Sequence, residues 1–264
     1  MMPTESLQIT PLRAFADNYI WLLRRADKPS VVVVDPGDAQ PVLDYCAREG
    51  CRLVAILITH HHRDHIGGIA RLVRAYPGVP VHGPIGEAIA GLTGRVAEGD
   101  WIDLPEIDAR FQVLDVPGHT AGHIAFLGHG ALFCGDTLFA GGCGRVFDGT
   151  FEQLAASLAR IAALPPDTRI YCAHEYTIEN LGFAKWVEPE NLDLLARETA
   201  DWALVEHGEP TVPSRLDLEL RTNPFLRWDA PAVRAAAECK AGRRLTSQCE
   251  VFETLRRWKD SEYD

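Results

Sequence analysis

Between Thr59 and His65 the chain reads Thr-His-His-His-Arg-Asp-His, four imidazoles and a carboxylate in seven residues. Ten histidines spread evenly over 264 residues would leave most such windows with none, so the cluster needs a chemical reason. His60 and His62 stand two apart and on an extended backbone face the same side. Asp64 and His65 follow, where the chain is expected to turn into a helix beginning near Ile66. Gly67 and Gly68 let that turn pack closely. Nitrogen and carboxylate donors without cysteine suit an open, catalytic metal site better than a closed structural one. The spacing allows one metal on His60 and His62 and a second on Asp64 and His65. A separate carboxylate such as Asp136 can bridge ions the roughly 3.5–4 Å apart that two-metal hydrolysis uses.

These groups need rigid supports, and the pattern supplies them at the ends of apolar, β-rich runs. Residues 53–59 lead into the His cluster, 111–116 into His119, 131–135 into Asp136 and 170–173 into His174. Further strands are expected at 19–23, 31–34 and 124–127. Helices are expected at 41–48, 66–76 and 151–163, the last with Phe151, Leu154, Leu158 and Ile161 on one face. After about residue 176 strand-like runs nearly vanish, and 191–205, 232–239 and 248–259 read as helices. Asp229 before Pro231, and Ser247 with Glu250 as a capping box, are their start signals. The chain therefore divides into a mixed α/β domain, 1–175, and a helical domain, 176–264. Histidines standing alone are ordinarily surface or satisfied core residues, the reading for His82, His129 and His207. His123, four after His119, is expected to be structural.

Composition bounds the function. With 26 basic and 37 acidic side chains the net charge is −11, which argues against nucleic acid and other polyanions as partners. The imbalance is uneven: residues 1–220 hold 17 basic and 30 acidic groups, residues 221–264 nine and seven. Seven cysteines without a C-x-x-C pair read as reduced, buried thiols in a cytoplasmic protein. The first ten residues lack the apolar core of a signal peptide, and no apolar run approaches the roughly 20 residues that span a bilayer. A soluble monomer is expected.

The motif Thr59-His60-His61-His62-Arg63-Asp64-His65 resembles the T-H-x-H-x-D-H signature of the metallo-β-lactamase superfamily. Gly118-His119-Thr120, Cys134-Gly135-Asp136 and Ala173-His174-Glu175 resemble its later ligand motifs, in order. Within that superfamily, Gly142-Cys143-Gly144-Arg145, His174-Glu175-Tyr176-Thr177, Val187-Glu188-Pro189, Arg221-Thr222-Asn223-Pro224-Phe225 and Arg256-Arg257-Trp258-Lys259-Asp260 resemble glyoxalase II, the hydroxyacylglutathione hydrolases. The resemblance implies an α+β fold, a four-layer αββα sandwich with a C-terminal helical domain that binds the glutathione substrate. It implies two divalent metal ions per chain, zinc first, with iron or manganese as alternatives. His60, His62 and His119 would hold one ion, Asp64, His65 and His174 the other, and Asp136 would bridge. Arg145, Tyr176, Arg256 and Lys259 would hold glutathione, whose carboxylates would find the basic C-terminal segment. Phe147 stands where some members carry tyrosine, so one hydroxyl contact would be missing.

The reaction so implied is hydrolysis of S-(2-hydroxyacyl)glutathione thioesters, such as S-D-lactoylglutathione, to glutathione and a 2-hydroxy acid. It is the second step of methylglyoxal detoxification. Hydroxide made at the two metals would attack, oriented by Asp64. Two other readings compete: a glutathione persulfide dioxygenase of the same fold with one iron, and a noncatalytic metal- or glutathione-binding protein. A β-lactamase commonly carries cysteine where Asp136 stands, and a nuclease would need an extended basic surface.

Overall fold

A computed structural model describes residues 6–263. Part of the N-terminal segment considered above, residues 1–5, lies outside it. Among the described residues the backbone forms two compact units, one running up to 115 and including 122–135, the other made of 116–121 and the residues from 136 on.

The first unit is built on a six-stranded sheet in the order β1 (Gln8–Ala14), β2 (Asn18–Arg24), β3 (Ser30–Val34), β4 (Arg52–Leu57), β5 (Val81–Pro84), β6 (Gly94–Val96). The first three pair antiparallel and the rest parallel. The crossovers into β4 and β5 carry helices: α1 (Gln40–Glu49), then α2 (Arg63–Ile66) and α3 (Ile69–Ala75). The runs Val31–Val34 and Ala55–Leu57 are buried outright, as expected of strands covered on both faces. A core of Ile20, Leu22, Val31, Val33, Ile56 and Leu72 among others fills this unit. An antiparallel meander completes it: β7 (Trp101–Leu104), β8 (Ala109–Asp115), β9 (Ile124–Gly128) and β10 (Ala131–Gly135).

The second unit holds the hairpin β11 (Leu138–Phe139) and β12 (Gly142–Cys143), helix α4 (Phe151–Ala162), and β13 (Arg169–Cys172) paired antiparallel with β14 (Ser214–Arg215). The remaining helices are α5 (Thr177–Val187), α6 (Leu192–Glu206), α7 (Leu216–Thr222), α8 (Pro231–Ala241) and α9 (Gln248–Glu262). α4 and α9 begin in full capping boxes, Thr150 with Gln153 and Ser247 with Glu250. In each, side chains satisfy two backbone N–H groups that the first helical turn leaves open.

Each strand and helix expected from the pattern is present, within a few residues. Two details differ. The helix after the His cluster begins at Arg63, so Asp64 and His65 lie inside its first turn, and it breaks at Gly67-Gly68 before resuming as α3. Asp229 does not start α8: Ala230 is its N-cap, and no side chain caps it. Pro231 there removes an N–H that would otherwise need a partner.

Candidate metal centre

In the first unit the ligand segment is fixed by one buried carboxylate. β3 ends at Val34, and Asp35 turns out of the strand with φ of 52°, a left-handed backbone unusual for a residue other than glycine. Its Oδ1 accepts the Thr59 N–H at 2.8 Å and its Oδ2 the Thr59 hydroxyl at 2.7 Å. Oδ2 also lies 3.0 Å from Nδ1 of His65. The single hydroxyl proton of Thr59 is thus committed to Asp35. The 3.1 Å contact between Thr59 Oγ1 and His60 Nδ1 then requires the imidazole to donate. A ring that donates through Nδ1 keeps the lone pair on Nε2, the arrangement that outer carboxylates impose on metal-binding histidines. One carboxylate therefore sets two tautomers, His65 directly and His60 through Thr59.

The neighbours of these rings are set as closely. His62 meets His60 edge-on, ring centroids 4.7 Å apart. His61 turns elsewhere, its Nδ1 3.0 Å from the buried Glu87, so the cluster splits as the two-residue spacing requires. Asp64 Oδ2 accepts from the Asn18 amide at 3.0 Å and lies 3.4 Å from His65 Nε2. The glycine turn packs as anticipated: a Cβ on Gly67 would lie 2.5 Å from the Gly37 carbonyl oxygen, and one on Gly37 1.7 Å from that of Asp64. His123 is buried and stacks on His60 at 4.6 Å, a structural contact.

In the second unit His119 is supported by a backbone atom. His119 follows Gly118, whose φ of 137° and approach to Leu154 exclude any side chain. His119 Nδ1 donates to the Arg145 carbonyl at 2.8 Å, again leaving Nε2 its lone pair. That Nε2 and the Nε2 of His174 each lie 3.4 Å from one oxygen, Oδ2 of Asp136. A carboxylate oxygen between two imidazoles suits a bridging ligand. Tyr176 stacks on His174, 4.7 Å and nearly parallel. Phe147 is 64% exposed, edge-on to His119 at 5.2 Å, and its N–H donates to the His119 carbonyl.

The four residues expected to hold glutathione fall into different environments. Arg145 is half exposed, and its Nε lies 3.7 Å from Asp260. Arg256 is 1% exposed, donates to the Cys143 carbonyl at 3.0 Å and pairs with Asp260 at 2.9 Å. Lys259 is buried, its ammonium 5.8 Å from the centre of the Tyr263 ring. Burial pushes the Cys143 thiol up to about 11, against the pull of the Arg256 guanidinium beside it.

The β11–β12 hairpin that leads to Arg145 is anchored by a buried ion pair the motif reading missed. Arg197 pairs with Glu219 at 2.7 Å and Asp201 at 3.2 Å. Burial works against the Arg197 charge, and the two carboxylates more than offset it, so its pKa is raised above the ordinary guanidinium value. Glu219 Oε2 accepts the Gly141 N–H and the Asn223 amide, each at 2.9 Å, and Asn223 also donates to the Gly142 carbonyl at 2.9 Å. Asp35, Asn18, Glu219 and Arg197 were not expected as site residues. Asp35 alone had a signal, standing like the named ligands at the end of an apolar strand.

All seven expected ligands belong to His/Asp groups whose donor atoms are close enough to hold a metal ion, and Asp35 joins them. The donor set fits: imidazoles, with Nδ1 of His60, His65 and His119 committed, carboxylates, and no thiolate.

This fold and His/Asp set define a member of the metallo-β-lactamase superfamily, which residues 15–174 match. Residues 175–262 match the hydroxyacylglutathione hydrolase C-terminus. The hydroxyacylglutathione hydrolase of Alkalilimnicola ehrlichii is 54% identical over 253 residues, 96% of this chain and 98% of the relative. That of Nitrosomonas eutropha is 47% identical over 255 residues, 97% and 99%. Among solved structures, ETHE1 from Myxococcus xanthus shares the fold with a TM-score of 0.66 at 23% identity, covering 97% of this chain and 92% of that one. TTHA1623, solved in a di-iron-bound form, gives 0.56 at 29%, covering 83% and 100%. The chain belongs to the hydroxyacylglutathione hydrolase family and is α+β, with a C-terminal helical region. The matched C-terminus disfavours both competing readings. No helix among the described residues is long and apolar enough to cross a membrane.

Proposed function

We propose that this chain hydrolyses S-(2-hydroxyacyl)glutathione thioesters, S-D-lactoylglutathione among them, releasing glutathione and a 2-hydroxy acid in methylglyoxal detoxification. The placement of Asp136 Oδ2 3.4 Å from the Nε2 atoms of both His119 and His174 carries the chemistry, and family membership supplies the substrate class. We assign His60, His62 and His119 to one divalent ion, Asp64, His65 and His174 to a second, and Asp136 to both. Zinc is the first candidate; the di-iron form of TTHA1623 keeps iron beside it, with manganese third. When bound, such ions polarise a carbonyl and bring the pKa of water towards about 7.

The side chains do the rest. Asp64, with Oδ2 held by Asn18, orients the attacking water and accepts its proton. The leaving thiolate is a weak base and requires little general-acid help. Arg145, Tyr176, Arg256 and Lys259 hold the peptide, so their contribution is orientation rather than bond breaking. Buried Arg256 works through the Cys143 carbonyl, shaping the segment that presents Arg145. The hydrolytic domain is assigned to 1–175 and the glutathione-binding one to 176–264, in a monomer working in the cytoplasm.

The test is metal analysis and hydrolysis of S-D-lactoylglutathione on the same sample. The expected result is bound metal with release of D-lactate and glutathione. Metal-loaded protein that leaves this thioester intact would overturn the substrate assignment.

A further inference from the structure

Away from the metal ligands, α1 ends in a left-handed Gly50. The N–H of Cys51 then bonds to the Cys46 carbonyl at 3.1 Å, closing a six-residue Schellman turn. In that motif the side chains of the first and last residues face each other, and here both are cysteines. Cys51 packs against the core cluster that contains Cys46. Their environments differ. Cys46 is 2% exposed and packed in the sheet core, and burial pushes its thiol up to about 11. Cys51 is half-buried and lines a surface cavity of about 480 Å³ with Ser30, Arg52 and Glu106. The guanidinium of Arg24 interacts electrostatically with Cys51, and its Nε is buried without a hydrogen bond.

We propose that Cys46 and Cys51 form a thiol–disulfide exchange site for small disulfides, with Cys51 attacking and Cys46 resolving. The oxidant is a low-molecular-weight disulfide such as glutathione disulfide. The Cys51 thiolate attacks one of its sulfurs, the S–S bond breaks, and one glutathione leaves as a thiolate that takes up a proton. Cys46 loses its proton to solvent and attacks the Cys51 sulfur, expelling the second glutathione. Two protein thiols are oxidised to one disulfide, and one glutathione disulfide is reduced to two thiols. The short sequence separation and the fixed turn make the second step intramolecular. The exposed thiol of Cys239 is the internal control.

The experiment treats the native 264-residue chain with glutathione disulfide, quenches it with acid, and maps the products by mass spectrometry without reduction. Trypsin cuts after Arg48 and Arg52, so the disulfide joins two peptides that are otherwise separate. The expected result is that linked pair, short of two hydrogens, with a persistent glutathionyl adduct on Cys239. In Cys46→Ala the adduct should persist on Cys51 instead. A persistent adduct on Cys51 in the native protein would overturn the resolving role of Cys46. An unmodified Cys51 in either protein would overturn the site.

Discussion

In the first unit the candidate ligands are sequence neighbours, and a distant side chain holds them: Asp35, 24 residues before Thr59 and 30 before His65. In the second unit the ligands His119, Asp136 and His174 are scattered, and the support of His119 is a backbone carbonyl. The Arg145 carbonyl fixes His119, and the hairpin behind Arg145 is tied down by the Arg197–Glu219 pair and Asn223. The two arrangements differ in what a mutation can reach. Where a side chain orients a ring, replacing it should loosen metal without unfolding the protein. Where backbone orients it, the vulnerable group lies a step away and its loss should appear first as instability.

The largest effect should come from the second unit's carboxylate. Asp136→Ala should lose metal and lower hydrolysis by about three orders of magnitude, the scale of losing a principal electrostatic group. Full metal content and rate in the purified variant would remove Asp136 as the bridge. Next in size is Glu219→Ala, which removes one of the two buried carboxylates that pair with Arg197 and leaves Asp201 as the other. Breaking a buried pair costs up to about 3–5 kcal/mol, and the loss should be read by urea denaturation. A cost under about 1 kcal/mol would show that the buried pair does not anchor the hairpin, and the contrast between the units would fail.

Asp35→Asn sharpens the same contrast. The amide keeps the shape but replaces an acceptor oxygen with a donor facing Thr59 or His65. Metal affinity should fall by about 10- to 100-fold, the usual cost of losing a group that orients a ligand, with a smaller loss of stability than in Glu219→Ala. Competition with a chelator measures the first and denaturation the second. If stability falls while affinity holds, Asp35 supports the strand rather than the histidines.

This difference in reach also explains what the chain reveals of itself before it folds. The ligands were legible because a strand end followed by His60-x-His62-x-Asp64-His65 is a local pattern, and the later ligands each close an apolar run. The periodicity of α4 and the Ser247–Glu250 box of α9 were legible for the same reason: helix faces and caps are set within four residues. The edge strands β1, β6 and β7 left weaker traces, since half-exposed strands lack a continuous apolar run, and the inner β5 is only four residues long and ends in Gly83-Pro84. Asp35 was invisible as a support because its partners come from a crossover away. Glu219 and Arg197 are 22 residues apart on two helices, and among so many charged residues nothing local distinguishes a buried pair from a solvated one.

A smaller effect is expected where the second unit is assigned to meet the peptide. Lys259→Ala should raise KM about tenfold, worth about 1.4 kcal/mol, with kcat unchanged, since the contact is present in ground and transition states alike. An unchanged KM would place Lys259 outside the substrate site.

The smallest effect lies at the start of α9 and depends on pH. Glu250 accepts from the N–H and hydroxyl of Thr246 and from Arg243, which hold its carboxyl down to about 2 from an ordinary 4.5. A carboxyl depressed on folding binds fewer protons in the native state than in the unfolded one, so it stabilises while ionised. That contribution is complete above about pH 4.5 and is lost as the pH falls through about 2. Glu250→Gln removes the titration but keeps an acceptor for the capping box. The Tm difference between native protein and variant should therefore be present at pH 6 and shrink steadily between about 4.5 and 2. A difference that stays constant across that window would mean that the carboxyl matters to the cap for its shape alone.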